Sequence, residues 1–434
     1  MSEFFEIAYA TVNNGLCLFT GTGFSKAVTE GKAPGWQKLL EDACDECPDS
    51  DKLKKSLFPT KGKNPLSLEE AAQVISIELL KADKIIHQQI AEAVRSLKLS
   101  GDNESIETFC QKQSFQVVTT NYDKLVEELC DESACQSLTP GLPIPRSVAR
   151  VKVYHVHGSV DVPENMVVTA DDYFQFLNAE SYFSRKLSTI LHENTVVILG
   201  YSLGDTNLKA ILSDYKGFAR NHVIGSNIFF VSRSKVDRPI KDYYSNCYGI
   251  RVIDNMEVSE FFKAVEAELP DAGKCAEASI KNIKKVVDKD HNFTEKFLKL
   301  EKSFYEIISS ISAAGYSLDN KGVVKMLGDI IKSKSTLSSK TGAWDQYTHL
   351  ANWLIYVASI LELKGTSIET EFLKAVQKSM DTMSKDLKYG YSWQSYKSWR
   401  AKWEGITPSN RKLIRLHIVD HLGSSDALSI VNLG

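Results

Sequence analysis

The chain has 434 residues, with 43% hydrophobic and 25% charged residues, 52 Lys and Arg against 55 Asp and Glu, and a formal net charge of −3 at pH 7. That length leaves room for two or three domains with cores of their own, and so small a net charge makes nucleic acid no required partner. No run of about 18 apolar residues occurs, so no membrane span is expected; the start, MSEFFEIAYA, has two glutamates and no basic cluster, which predicts a cytosolic protein without a signal peptide.

Leu16 to Phe19 has the length and content of a buried parallel strand, and it runs into Thr20, Gly21, Thr22, Gly23, Phe24 and Ser25. Glycine permits a sharp turn and a close approach of phosphate to main-chain N–H groups, so this turn is a candidate phosphate holder. Lys26 stands where the dinucleotide fingerprint has its third glycine. A turn cluster at 31–35 precedes a helix opened by Trp36, and Ser67 with Glu70 predicts a capping box on a long helix from Leu68 to about Leu97. This helical insert, at about 65–110, separates the first strand from the second, Phe115 to Thr120, which delivers Asn121, Tyr122 and Asp123 at its carboxyl end. Asn121 and Asp123 are either ligand contacts or an N-cap pair for the helix that follows.

A third strand, Val151 to His157, brings His155 and His157, with His155 expected on the opposite face, in packing. A fourth, Thr195 to Leu199, ends in Gly200, Tyr201, Ser202, Leu203, Gly204 and Asp205, followed by a helix from Thr206 to Tyr215 whose N-cap is a competing role for Asp205. Two further strands, Ile228–Val231 and Ile250–Ile253, and a short helix near 258–268 complete an α/β unit over 1–268. Strand, polar turn and helix recur with the polar residues always at the same strand end. That pattern predicts a doubly wound, Rossmann-like parallel sheet, whose ligands sit at the carboxyl edge.

From 271 to 434 the texture is all helical. Phe293, Phe297, Leu300, Phe304, Ile307, Ile308 and Ile311 make one stripe of a long helix, and helices follow at about 321–333, 345–363, 368–387, 393–403 and 409–421. Five of the six tryptophans lie beyond residue 340 and are expected in this unit's core. This half holds 24 Lys and Arg against 18 Asp and Glu, so it is basic while the first half is acidic, which suits assembly or partner docking. Of the eight cysteines, Cys44 and Cys47 form a lone C-x-x-C; no second pair completes a zinc site, and the thiols are expected to be reduced and structural.

Taken in order, TGTGFS, TTNYD, YHVHG and GYSLGD resemble the motifs of the sirtuin fold in its bacterial defence-associated branch, over roughly residues 10–265. The resemblance implies an NAD+ site. Gly21, Thr22, Gly23 and Ser25 would wrap the pyrophosphate, and Asn121 and Asp123 would read the nicotinamide-side ribose. His157 would be the base, and Gly200 and Ser202, with Asp205, would hold the adenosine side. Two departures bear on activity. No cysteine lies between Cys135 and Cys247, where sirtuin deacylases carry zinc, and their proline–aspartate–phenylalanine–arginine run is absent. Both parts help to build an acyl-lysine cleft, so the resemblance implies NAD+ hydrolysis in anti-phage defence, without zinc, rather than deacylation.

The residue chemistry agrees. Cleaving the nicotinamide–ribose bond passes through an oxocarbenium-like species. The Asn121 amide can bind ribose hydroxyls or orient water, with Asn121 and His157 as the catalytic pair. An imidazole with a reference pKa of about 6.5 can take a proton near neutrality. The alternatives are a non-catalytic NAD or ADP-ribose sensor, and a protein deacylase or ADP-ribosyltransferase. Unchecked NAD+ hydrolysis would kill its host, so gating by a homo-oligomer is expected, and the resemblance implies a HerA-type hexameric ATPase as a possible partner.

Overall fold

The computed structural model describes residues 2–131, 133–145, 148–178, 182–201, 212, 227–289, 292–316, 320–340, 342–387 and 392–433. Seven strands form one parallel sheet: β1 (Leu16–Thr20), β2 (Phe115–Thr119), β3 (Cys135–Leu138), β4 (Val151–His155), β5 (Thr195–Leu199), β6 (Ile228–Val231) and β7 (Ile250–Ile253). Their spatial order is β3-β4-β2-β1-β5-β6-β7. This is the expected doubly wound, Rossmann-like architecture, followed by a helical C-terminal region. β3 is the strand that sequence reading leaves out. It is a short edge strand of alternating burial, CQSL, with no apolar run to announce it.

Alternation sorts the sheet's side chains into two cores. Leu16, Leu18, Val117, Val153, Val197 and Phe229 face one side, and Cys17, Phe19, Val118, Tyr154, Ile198 and Phe230 face the other. The first core continues without a break into the helical half, through Phe261, Phe304, Trp353 and Ile418. Each large apolar side chain so buried contributes about 1.5–3 kcal/mol, so the two halves stabilise one another. A helix at the start of the chain, α1 (Ser2–Val12), joins this shared core. It packs along the helix Val258–Lys289 and against the helix Ser303–Ala313.

Three helical expectations need correction. The expected short helix near 258–268 is the first third of a single helix, Val258–Lys289, which carries Pro270 inside it. The expected domain boundary at 268–271 therefore falls within a helix rather than a linker. The pattern from Leu68 to Leu97 is two helices, α5 (Leu68–Leu80) and α6 (Ile86–Arg95), parted at Asp83, whose φ is +53. The stripe from Phe293 to Ile311 is likewise split into Glu295–Leu298 and Ser303–Ala313, with Leu300 exposed between them. An apolar period survives such a break, because the second helix can resume against the same core. Later helices, Lys321–Leu337, Asp345–Ile360, Glu369–Asp381, Ser392–Lys402 and Pro408–His421, lie close to expectation. Trp353, Trp399 and Trp403 are buried, as a core reading requires, whereas Trp344 is exposed.

Register places the site. Thr20 pairs with Thr119 on one side and with Leu199 on the other, and Thr119 pairs with His155. Three neighbouring strands and the fourth beside them therefore end level. Their following turns, at 21–25, 120–125, 156–159 and 200–201, meet at one edge. β1 lies where the winding reverses, between β2 and β5, and in such sheets the crevice opens there.

Candidate active site

The β1 and β5 turns touch backbone to backbone. The Gly23 N–H donates to the Gly200 carbonyl at 2.8 Å, and the Gly21 N–H donates to the Leu199 carbonyl at 3.0 Å. A Cβ on Gly23 would lie 2.7 Å from the Gly200 Cα, and one on Gly200, which has φ +70, would lie 2.0 Å from the Phe24 nitrogen. These glycines are required by the approach of two turns, and the Gly21 and Gly23 amides are spent on it. What this turn presents to the cavity is the Thr22, Ser25 and Lys26 side chains, with Gly23. Gly21 stands behind the wall.

A cavity of about 800 Å³ opens at this edge, and Thr22, Gly23, Ser25, Asn121, Asp123, His157 and Gly200 all line it. Its volume falls within the range of ligand sites. Ser202 and Asp205 lie outside the described residues. The far wall comes from the insert: Trp36 on α3 (Trp36–Cys44), and Ser67, Glu69 and Glu70 at the start of α5. The expected capping box is present there, with the Glu70 N–H donating to Ser67 Oγ and the Ser67 N–H to Glu70 Oε2.

Ser25 ties the polar groups into one chain. Asn121 Nδ2 donates to Ser25 Oγ at 2.8 Å, and Ser25 Oγ donates to Asp123 Oδ2 at 2.7 Å. Asp123 Oδ1 accepts from the Leu125 N–H at the start of α8 (Leu125–Leu129), so a capping contact coexists with a position on the cavity wall. Burial raises the Asp123 pKa, and the Ser25 and Leu125 hydrogen bonds oppose that rise. With Nδ2 committed to Ser25, the Asn121 Oδ1 remains as the acceptor.

His157 lies just past the end of β4, in a turn whose Gly158 has φ +82. Its ring is walled edge-on by Tyr173 and Phe176, with centroids 5.3 and 5.0 Å away. Burial lowers its pKa to about 4, so the imidazole is neutral at physiological pH and keeps an acceptor nitrogen. His155 differs from expectation. It is fully buried but not in apolar packing: Nδ1 faces the Asn121 carbonyl at 3.2 Å and Nε2 faces Glu127 Oε1 at 2.8 Å. Residues two positions apart share one face of a strand, so alternation is no ground for turning His155 away from His157; β4 ends at His155, and His157 lies in the turn beyond it.

Several site residues escape sequence reasoning. Tyr122 fastens the second turn by donating to the Val167 carbonyl at 2.6 Å, and its ring meets Trp36 edge-on. Tyr201 lines the cavity, hydrogen-bonds Thr120 and packs on Phe19. Tyr173 and Trp36 arrive from distant helices, and no local pattern marks them. Cys44 and Cys47 are buried free thiols, and burial pushes the Cys44 thiol up to about 12. Among the described residues, no group of three or more His, Cys, Asp or Glu side chains is arranged to hold a metal.

Residues 116–253 match the SIR2-like domain family. Over 254 residues the chain is 23% identical to defence-associated sirtuin 2 of Bacillus subtilis, covering 57% of this chain and 24% of that protein. Over 305 residues it is 26% identical to the NAD(+) hydrolase ThsA of Cytobacillus dafuensis, covering 67% and 53%. Over 111 residues it is 33% identical to ThsA of Enterococcus faecium, covering 24% and 23%. The chain thus spans from about a quarter to about half the length of these relatives. The matched segment runs from within β2 to the end of β7 and holds Asn121, Asp123, His157 and Gly200, so these strand tips of the crevice lie in a segment similar to the SIR2-like domain family, while the β1 turn lies before it.

Proposed function

We propose that the chain is an NAD+ glycohydrolase of anti-phage defence, which cleaves the nicotinamide–ribose bond to give nicotinamide and ADP-ribose. One observation carries this reading: the Asn121–Ser25–Asp123 chain and a neutral His157 line the same 800 Å³ cavity at the sheet's switch point. Relatives named NAD(+) hydrolase and defence-associated sirtuin support it.

The reaction needs little more than these groups. As neutral nicotinamide departs, positive charge grows on the ribose, and the Asp123 carboxylate lies where it can stabilise that charge. Asn121 Oδ1 accepts from a ribose hydroxyl or from the attacking water. Water adding to an oxocarbenium becomes strongly acidic, so a base as weak as His157 suffices to take its proton. Thr22 and Lys26, which line the cavity, would meet the pyrophosphate.

Incubating the purified chain with NAD+ and separating the products tests the reading. Nicotinamide and ADP-ribose should appear in equal amounts, and Asn121→Ala and His157→Ala should abolish their release. Tight binding without turnover would replace hydrolysis with nucleotide sensing, and a modified protein would replace it with ADP-ribosyl transfer. We further propose that the helical half gates this activity by self-assembly or by docking a HerA-type ATPase. Mass measurement with and without that partner, alongside turnover, tests the gating.

A further inference from the structure

His155 has no part in the chemistry above, yet it is fully buried beneath the Asn121–Asp123 turn, with hydrogen-bond partners on both ring nitrogens. We infer that His155 is held as a buried imidazolium and is the positioning residue that fixes Asn121 and Asp123 for catalysis. The inference rests on the hydrolase reading for its effect on turnover, but not for the protonation state itself.

The argument begins with donors and acceptors. A neutral imidazole offers one N–H and one lone pair, whereas an imidazolium offers two N–H groups. The partner of Nδ1 is the Asn121 carbonyl oxygen at 3.2 Å, which can only accept. The partner of Nε2 is Glu127 Oε1 at 2.8 Å. That carboxylate also receives Lys124 Nζ at 2.9 Å, and this ion pair favours its ionised, purely accepting form. Rotating the ring by 180° about χ2 would turn carbon atoms towards both acceptors. Both nitrogens must therefore donate.

The surroundings accommodate the charge. Facing this cluster are Glu127 and Lys124, Asp161 at 2.8 Å from Lys124 Nζ, and Asp123. The nearby Cys130 and Cys135 thiols have raised pKa values and stay neutral. Two cations thus stand among three carboxylates, an arrangement in which removing the His155 proton would leave buried negative charge uncompensated.

The consequence for the site is geometric and electrostatic. The imidazolium grips the Asn121 main-chain carbonyl from below, while the Asn121 side chain donates to Ser25 above. Asn121 is thus fastened at both ends. The same positive charge favours the ionised form of Asp123, against a burial that raises its pKa.

The full chain with 15N-labelled histidine provides the first test. At pH 7 both His155 ring nitrogens should show protonated chemical shifts, and an unprotonated nitrogen would overturn the inference. The second test is Glu127→Gln, which keeps an acceptor for Nε2 but removes the counter-ion. NAD+ kcat should then fall roughly tenfold or more with KM little changed, because Asn121 loses its anchor while the substrate-binding groups stay in place. Wild-type kcat in Glu127→Gln, or a loss confined to KM, would refute the positioning role. Should wild type release no nicotinamide, the hydrolase reading fails. The nitrogen shifts, and calorimetric binding of ADP-ribose to wild type and Glu127→Gln, then decide the role of His155 separately, and equal affinities would overturn the positioning role there as well.

Discussion

Removing the hydroxyl of Ser25 probes the site more sharply than removing either of its partners. Ser25 is buried, donates to Asp123 at 2.7 Å and accepts from Asn121 at 2.8 Å, so Ser25→Ala deletes both bonds and adds no bulk. A hydrogen bond to a charged group is worth about 1.5–3 kcal/mol. At about 1.4 kcal/mol per pKa unit, its loss should raise the Asp123 pKa by roughly 1–2 units. Burial already holds that pKa above its unfolded value, so the folded state binds this proton more tightly than the unfolded chain does. Stability from Asp123 is therefore fully present below the unfolded value and declines as pH rises through the folded one, and Ser25→Ala deepens that decline. Two readouts follow: the acid limb of kcat/KM against pH should move up by roughly 1–2 units, and urea unfolding at pH 7 should show a loss of about 1.5–3 kcal/mol. In an Asp123→Asn background the same substitution should cost much less and shift no limb. An unmoved acid limb with unchanged stability would refute the Asn121–Ser25–Asp123 chain as the organising element of the site.

Much of this arrangement is legible in the sequence, and the reasons for success and failure are physical. Strands such as TVVIL are buried on both faces and announce themselves by composition. Their polar turns, read in order, locate Asn121, Asp123, His157 and Gly200 at one sheet edge. The bonds among those residues are not legible, because Ser25 and Asp123 are 98 positions apart and only the strand register brings them together. The glycines illustrate the same limit. TGTG is read as a phosphate cradle, yet Gly23 is there for Gly200, a contact that no local pattern encodes. His155 and His157 are two positions apart, which on a strand means one face, and only the end of β4 at His155 separates their surroundings. Helix breaks at Asp83 and near Leu300 are missed because apolar periodicity resumes after each break against the same core.

Gly200→Ala should cost several kcal/mol and sharply reduce soluble yield, since φ +70 strains any Cβ and the added carbon would lie 2.0 Å from the Phe24 nitrogen; a thermal melt within about 2 °C of wild type would contradict the packing role. Lys334 is fully buried, with Nζ donating to the Leu298 carbonyl and to Gln346 Oε1 above the Trp353 ring, and burial lowers its pKa to about 7. Between that value and the unfolded value of about 10.4 the unfolded chain binds more protons at this residue, so the contribution of Lys334 to stability should rise as pH increases from 7 to 10. Lys334→Met should remove that slope, and urea midpoints across the range check it. The last prediction concerns how the two halves communicate. Glu6 on α1 receives Arg251 of β7 through both carboxylate oxygens and also receives the Tyr356 hydroxyl from the helix Asp345–Ile360, while Arg251 lies over the Phe229 ring of β6. Three segments from opposite ends of the chain thus meet on one carboxylate, at the edge of the sheet whose turns build the cavity. Glu6→Gln would leave the half-buried Arg251 without its counter-charge, which costs about 3 kcal/mol. Tyr356→Phe removes only one hydrogen bond and should cost about 1 kcal/mol. If the halves share one core, both variants should unfold in a single transition, with the loss visible equally by tryptophan fluorescence from the helical half and by far-ultraviolet ellipticity. Two separated transitions in Glu6→Gln would mean that the sheet and the helical half are independent folding units, and that gating cannot pass through this contact.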